Sequence, residues 1–368
     1  MNGEGVQSEV KENHMVKLPP STAMKSLQYD LFSFYVANDL NEVSSTVEFW
    51  DSIPKYFLTA KQIEKLRTST GHADPYEHEY IINLRNHEKT SILPYKVEIQ
   101  PALIKQADGN YLAFFPTKTE ETIEEVLKKI FSDQQYGIHD PDNMESWVKF
   151  SYSMIRRELY RMGRGLRYDQ IKHSLMVMSK SVITVKEDGK EIYSGSILQD
   201  YCSIDRNKYL DHTQALHAAR LPVFISHSLN SLQYRQYNYA RFMECKEQLT
   251  RFLYKRLVNR FVQANYMNEY SFRYSDIKQA SRLLHYIRER DNRIKVMSAF
   301  DELKERGVIL SYQVAEKKKG RKITDVVYTI TSAPDFIREQ KASNKRAAIL
   351  EERAHNAGLN TRQHRLPL

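Results

Sequence analysis

The sequence predicts an α+β chain in which one short unit, three helices followed by a hairpin, occurs twice. Three observations carry that expectation. Helical periodicity over about 119–179 is closed by an alternating strand pair, and the same happens again after about 240. Hairpin-type turn signals sit between the paired strands. The basic residues collect in the second part of the chain. Three helices and a twisted hairpin in that order make a winged helix. The expected architecture is therefore two tandem winged-helix domains with a flexible N-terminal segment and a basic C-terminal tail. The expected boundaries are 1–45 for the N-terminal segment, 46–235 for the first domain with an N-terminal extension, 236–335 for the second domain and 336–368 for the tail.

The 368 residues are 41% hydrophobic and 27% charged, which suits a soluble chain of two or three domains. No apolar run approaches the roughly 20 residues needed to span a bilayer, and the polar first residues MNGEGVQSEVKENHM do not read as a signal peptide. A cytoplasmic protein is expected. Cys202 and Cys245 have no Cys or His at metal-ligand spacing, so buried, reduced thiols are expected, with no metal and no cofactor.

Net charge is +9, unevenly spread. Residues 1–145 hold 14 Lys+Arg against 23 Asp+Glu; residues 146–240 hold 14 against 8, and residues 241–330 hold 20 against 11. A polyanion is the natural partner of such a distribution, since each cation placed on a phosphate releases a condensed counterion.

The elements follow in order. The first 25 residues lack periodicity and are expected to be disordered. An isolated apolar segment, LQYDLFSFYV (27–36), comes next; Phe49 to Arg67 reads as a turn around Pro54 and a short helix. KVEIQPALI (96–104) and NYLAFF (110–115) flank Asp108-Gly109 as a hairpin. Thr119 is expected to cap ETIEEVLKKIF, a second helix covers SWVKFSYSMIRRELYRMG (146–163), and a third spans Tyr168 to Ser179. VITV and IYSGSIL then form a wing around Asp188-Gly189. In the second copy a long helix runs from Ala240 to about Ala264. After the short strand SFRY (271–274), Ser275 or Asp276 caps a helix through Leu284. Asp291 caps NRIKVMSAFDELKERG, whose Ile294, Met297, Phe300 and Leu303 recur every three positions. VILSYQV and ITDVVYTI flank AEKKKGRK, a wing tip with five basic residues.

A winged helix places its third helix in the major groove and its wing on phosphates or a neighbouring minor groove. In the second copy the candidates for base edges are Asn292, Arg293, Lys295 and Ser298, and Lys317, Lys318, Lys319, Arg321 and Lys322 would hold phosphates. In the first copy the candidates are Arg164, Arg167, Gln170, Lys172 and His173. Its wing KEDGKE is near neutral, so this copy could equally serve protein contacts.

Enzyme signatures are absent from the sequence: no GxxxxGK[ST] loop, no HExxH, and no H-x-H pair beside a tyrosine. His212 and His217 are five apart, the wrong spacing for one helix turn. A non-enzymatic binding protein is expected. Gln28-Tyr29-Asp30-Leu31-Phe32 is similar to the pentapeptide by which bacterial proteins dock on the replicative sliding clamp, with Gln28 at the pocket edge and Leu31 and Phe32 inside. Its alternative is a segment packing on the first domain.

VEFWDSIPKYF (47–57), IQPALI (99–104), FFPTKTEETIEEVLKKI (114–130) and IRRELYRMG (155–163), with the wings that follow, resemble the plasmid replication initiators of the RepA type from about Thr46 to Ala333. The resemblance implies binding to direct repeats (iterons) in duplex DNA at an origin, opening of an AT-rich region, and recruitment of the host helicase and initiator. It also implies a homodimer, a sliding-clamp contact, and a plasmid-associated protein in a bacterial cytoplasm. It assigns base readout to the second winged helix and dimer contacts to the first. A winged-helix transcriptional regulator that represses its own gene is the alternative.

Overall fold

The computed structural model describes residues 43–86, 89–132, 136–204 and 213–356. Both copies of the unit are present. In the first, helices α3 (Lys118–Phe131), α4 (Tyr152–Arg161) and α5 (Tyr168–Lys180) lead into a hairpin of β8 (Val182–Glu187) and β9 (Lys190–Ser196). In the second, α8 (Gln248–Arg260), α9 (Tyr274–Ser281) and α10 (Glu289–Glu305) lead into β14 (Ile309–Lys319) and β15 (Lys322–Ser332). The first hairpin turns where Asp188 (φ 46°) and Gly189 (φ 77°) both take the positive φ that a two-residue turn of matching twist requires.

Each wing belongs to a larger sheet. β13 (Glu269–Arg273) joins the second wing in the order β13-β15-β14. The first wing lies in a four-stranded sheet, β2-β3-β8-β9, completed by β2 (Tyr76–Asn86) and β3 (Lys89–Gln100). β3 pairs with β8 from Tyr95↔Glu187 to Gln100↔Val182. The expected hairpin across 96–115 is thus two structures. Pro101, with no N–H to donate, separates β3 from β4 (Ala102–Lys105), and only β4 and β5 (Tyr111–Phe114) pair around Asp108-Gly109.

Two further expectations are corrected, and one helix was not anticipated. Residues 145–150 are not helical but strand β7 (Glu145–Phe150), whose buried residues alternate as Ser146, Val148 and Phe150. It joins β6 (Gly137–Asp140), β10 (Gln199–Ser203) and β11 (His217–Arg220) in the order β10-β11-β7-β6. Val223–Asn230 is a helix, α6, with Phe224, Ile225 and Leu229 buried. The single helix expected over 240–264 is two, α7 (Tyr239–Glu244) and α8. The break has a partner: the Glu302 carboxylate accepts from the backbone N–H of Lys246 (2.6 Å) and the Thr250 hydroxyl (2.5 Å), so α10 caps the start of α8. Caps also move at α3, where Thr117 forms a capping box with Glu120, and at α10, whose N-cap is Arg288, with Asp291 inside the first turn.

The two copies share one core. The expected boundary between residues 235 and 236 falls inside β12 (Arg235–Asn238), which pairs with β1 (Val43–Thr46). Helix α1 (Glu48–Ser52), α3 and α8 meet over a buried ion network. The Lys128 ammonium contacts Asp51 at 2.5 Å, Glu125 at 3.2 Å and Glu124 at 3.5 Å. From the second copy, Lys255 reaches Glu125 at 2.6 Å and Asp51 at 3.3 Å, and Arg251 reaches Glu121 at 3.2 Å. Trp50, Tyr56 and Tyr237 donate to the same carboxylates. Burial by itself would raise the Asp51 carboxyl, but Lys128 and Lys255 hold it well below the usual carboxylate range. A cavity of about 100 Å³, lined in part by Asp51, Lys55, Glu121, Arg251 and Lys255, lies along this seam.

The chain after Pro334, expected to be a basic C-terminal tail from residue 336, is helix α11 (Pro334–Asn356) as far as it is described, and it is docked. Phe336 and Ile337 are buried. Arg235 donates to Gln340 (3.0 Å) and Asn344 (2.7 Å), Arg241 to Glu339 (2.8 Å), and Asn344 to the Val262 carbonyl (2.7 Å). The helix therefore ties the end of the second wing back to strand β12.

Candidate nucleic-acid interface

Helix α10 turns 100° per residue, and its buried residues Asn292, Val296, Ala299, Phe300 and Leu303 lie within one third of its circumference. Diametrically opposite sit Arg290, Ile294, Ser298 and Asp301, all exposed. The row expected to face the core, Ile294-Met297-Phe300-Leu303, was spaced by three. Three steps of 300° carry Leu303 halfway round the helix from Ile294, so Leu303 is buried and Ile294 is 48% exposed.

That rotation relocates the expected base-reading residues. Asn292 is fully buried and does not face outward. Its Oδ1 accepts from the Tyr286 N–H at 3.0 Å and its Nδ2 donates to the Tyr286 carbonyl at 2.9 Å, clamping the loop that enters the helix. Lys295 is half-buried at the edge of the face, donating to the Leu283 carbonyl at 2.9 Å; burial lowers its pKa. Arg293 is half-buried on the wing side, where its charge opposes the burial that raises the Tyr328 hydroxyl to about 12. Ser298 is exposed. Arg290 and Ile294 were missed; a 3.6-residue period in place of 3 would have found both.

The second wing is firm at its base and bare at its tip. Tyr312 donates to Asp301 of α10 at 2.9 Å, and Asp325 accepts from the Ser275 N–H (3.1 Å) and hydroxyl (2.9 Å) at the start of α9. Beyond that base, Lys317, Lys318, Lys319, Arg321 and Lys322 are all exposed around Gly320, whose φ of 62° makes the turn. Among the described residues the ion pair at the tip is Lys318–Glu316, 2.7 Å and solvent-exposed. Such a pair is weak and leaves a net positive tip.

The first copy disposes of its candidates differently. Arg164 does not face solvent as expected: it donates to the Met243 carbonyl (2.7 and 3.1 Å) and the Cys245 carbonyl (2.7 Å), across the seam at the break between α7 and α8. Burial pushes its pKa down to about 10. Gln170 accepts from the Arg167 N–H at 2.9 Å as part of the α5 cap, and the exposed Arg167 guanidinium pairs with Asp169 at 2.9 Å. His173 packs edge-on against Phe114 at 4.5 Å, and Lys172 is half-buried. The β4–β5 hairpin lies along α5: Ala102, Ile104 and Phe114 pack with Met176 and Val177 in a small core of their own. The hairpin thus covers α5 from His173 to Val177 and leaves its first turn, with Asp169 and Gln170, exposed. In the first wing, Lys186 is neutralised by Glu98 at 2.7 Å and Glu77 at 3.8 Å.

Gln28, Leu31 and Phe32 lie outside the described residues. Cys245 is buried, its thiol pushed up to about 12, but Cys202 is exposed, against expectation. His217 is buried and stacked on Tyr152 at 4.6 Å. Among the described residues no group of three or more His, Cys, Asp or Glu could hold a metal ion, and no helix is long and apolar enough to cross a membrane.

By its own elements the chain is an α+β protein of two tandem winged helices, one with a covered third helix and one with a bare third helix and a cationic wing. No protein-family model and no curated protein matches its sequence. It is similar to two crystal structures of domains 2 and 3 of RctB. One, a selenomethionine derivative, has 12% identity over 78% of this chain and 98% of that one, with a TM-score of 0.47; the other has 11% identity over 73% and 95%, with a TM-score of 0.42. It is also similar to the Pi initiator protein in complex with iteron DNA, at 13% identity over 59% of this chain and 91% of that one, with a TM-score of 0.43.

Proposed function

We propose that the chain is a non-enzymatic, sequence-specific binder of duplex DNA that acts as a replication initiator. One observation carries the DNA-binding part: Arg290, Ile294 and Ser298 on the outward line of α10 and the five cations of the wing tip all meet solvent, the tip holding only the weak Lys318–Glu316 pair among the described residues, in the copy with the larger basic excess. Phosphate contacts from the wing would fix register, and the helix face would read bases. The initiator part rests on the phrases around 47–57, 99–104, 114–130 and 155–163 that resemble RepA-type initiators. From that resemblance come the finer proposals: repeated sites beside an AT-rich tract that the protein helps to open, host helicase and initiator as partners, a clamp contact through Gln28, Leu31 and Phe32, a homodimer, and residence with a plasmid in the bacterial cytoplasm.

Protection mapping of the purified full chain on the DNA flanking its own gene tests this. Tandem direct repeats of about two helical turns support initiation. One protected inverted repeat over the promoter replaces the initiator with the autorepressor, and no protection at any duplex ends the DNA-binding reading.

A further inference from the structure

The face of α10 that the core leaves bare is apolar at its centre. Ile294 sits diametrically opposite the buried side and is 48% exposed; Ile287, just ahead of the helix, is 101% exposed, and Tyr286 beside it is 55% exposed. Ile287 lies two residues before the helix begins at Glu289 and Ile294 is in its second turn, so both solvent-exposed isoleucines belong to the entry end of α10. Around them stand Arg290, Arg293 and Ser298, with two carboxylates, Asp291 and Asp301. An isoleucine on the most exposed line of a helix adds little to the fold, and it cannot hydrogen-bond a phosphate or a base edge. One feature of the major groove does suit it. The thymine C5-methyl is the apolar group displayed there, and apolar side chains read it by contact.

Resting on the DNA-binding reading above, we infer that Ile294 and Ile287 are specificity-determining residues that pack on thymine methyl groups. The chain's site then carries thymines at the centre of the segment read by α10. The carboxylates agree with this placement: at mid-groove Asp291 is kept from phosphates and can accept from a cytosine amino group.

The experiment uses the full chain and its own protected duplex, with each thymine replaced singly by uracil, which removes only the methyl. Fluorescence anisotropy should show a loss of about fourfold in affinity per buried methyl at one or two adjacent positions. Ile294→Ala should bind the unmodified duplex more weakly, and its sensitivity to uracil at the position it reads should vanish. Ile287→Ala should abolish sensitivity at the other. Both side chains are exposed, so an unchanged thermal midpoint certifies the fold of each variant. A specific complex indifferent to uracil at every thymine overturns the inference and leaves these side chains as a protein-docking patch. Uracil sensitivity that persists undiminished in both variants overturns it as well. Absence of any specific complex overturns the DNA-binding reading and this inference with it.

Discussion

The two winged helices share an element order and spend their cations in opposite ways. In the first, Arg164, Lys128 and Lys186 are held by carbonyls and carboxylates of the protein itself, and α5 is roofed by the β4–β5 hairpin. In the second, five wing cations and the outer line of α10 meet solvent. The difference teaches that a basic residue in a winged helix is evidence of DNA contact only once its internal partners have been counted. A guanidinium that already donates to two carbonyls has little left for a phosphate.

The sharpest way to break this comparison is at the seam. Lys128→Ala leaves Asp51, Glu124 and Glu125 buried without their central cation, and should lower stability in urea by about 3–5 kcal/mol. A loss below about 1 kcal/mol would mean the network is not what joins the copies. Arg164→Ala removes charged hydrogen bonds to two carbonyls and should lower stability by about 3 kcal/mol. If Arg164 instead serves DNA, the variant will keep its melting temperature and lose affinity.

A pH test addresses the same seam from the first copy's side. His78, buried against Phe57 at 5.0 Å and facing Arg282 of the second copy, has a pKa lowered to about 3, by burial first and by Arg282 second. Between pH about 6.5 and about 3 the unfolded chain binds a proton there that the folded chain refuses. Stability should therefore fall on acidification by up to about 1.4 kcal/mol per pH unit from this group. In His78→Phe that share of the slope should be missing; an identical pH profile would show that the ring is protonated in place.

Two smaller effects sharpen the contrast in DNA binding. Replacing Lys317, Lys318 and Lys319 together by Ala should shallow the salt dependence of binding, by about 0.9 for each phosphate that the wing no longer neutralises. Stability should stay within about 0.5 kcal/mol; an unchanged salt slope would show an idle wing. Arg167→Ala, in the exposed cap of α5, should change affinity less than about twofold. A tenfold loss would restore the first copy as a reader.

Both wings, α5 and the basic tip were legible in the sequence because each is local: Asp188-Gly189 dictates its turn, and a run of lysines at a hairpin tip has no core to enter. What escaped was set by distant partners. Strands β2 and β3 pair from Tyr76↔Ile99 to Asn86↔Lys89, and the sequence between them holds no Gly or Pro to mark a hairpin. The break after Glu244 is stabilised by Glu302 and Arg164, far away in the chain. Asn292 has the chemistry of an adenine reader and the position of a loop clamp, and only the phase of the helix separates the two.

The shared core has a consequence for descent. Asp51, Glu125, Arg164, Lys255 and Glu302 come from both copies, and helix α11 returns to strand β12. Halves of such a molecule cannot be traded between relatives as cassettes, because a hybrid must inherit all five positions together. A lineage can change the site it recognises more easily one substitution at a time, along the single bare line of one helix, than by importing a ready-made reader.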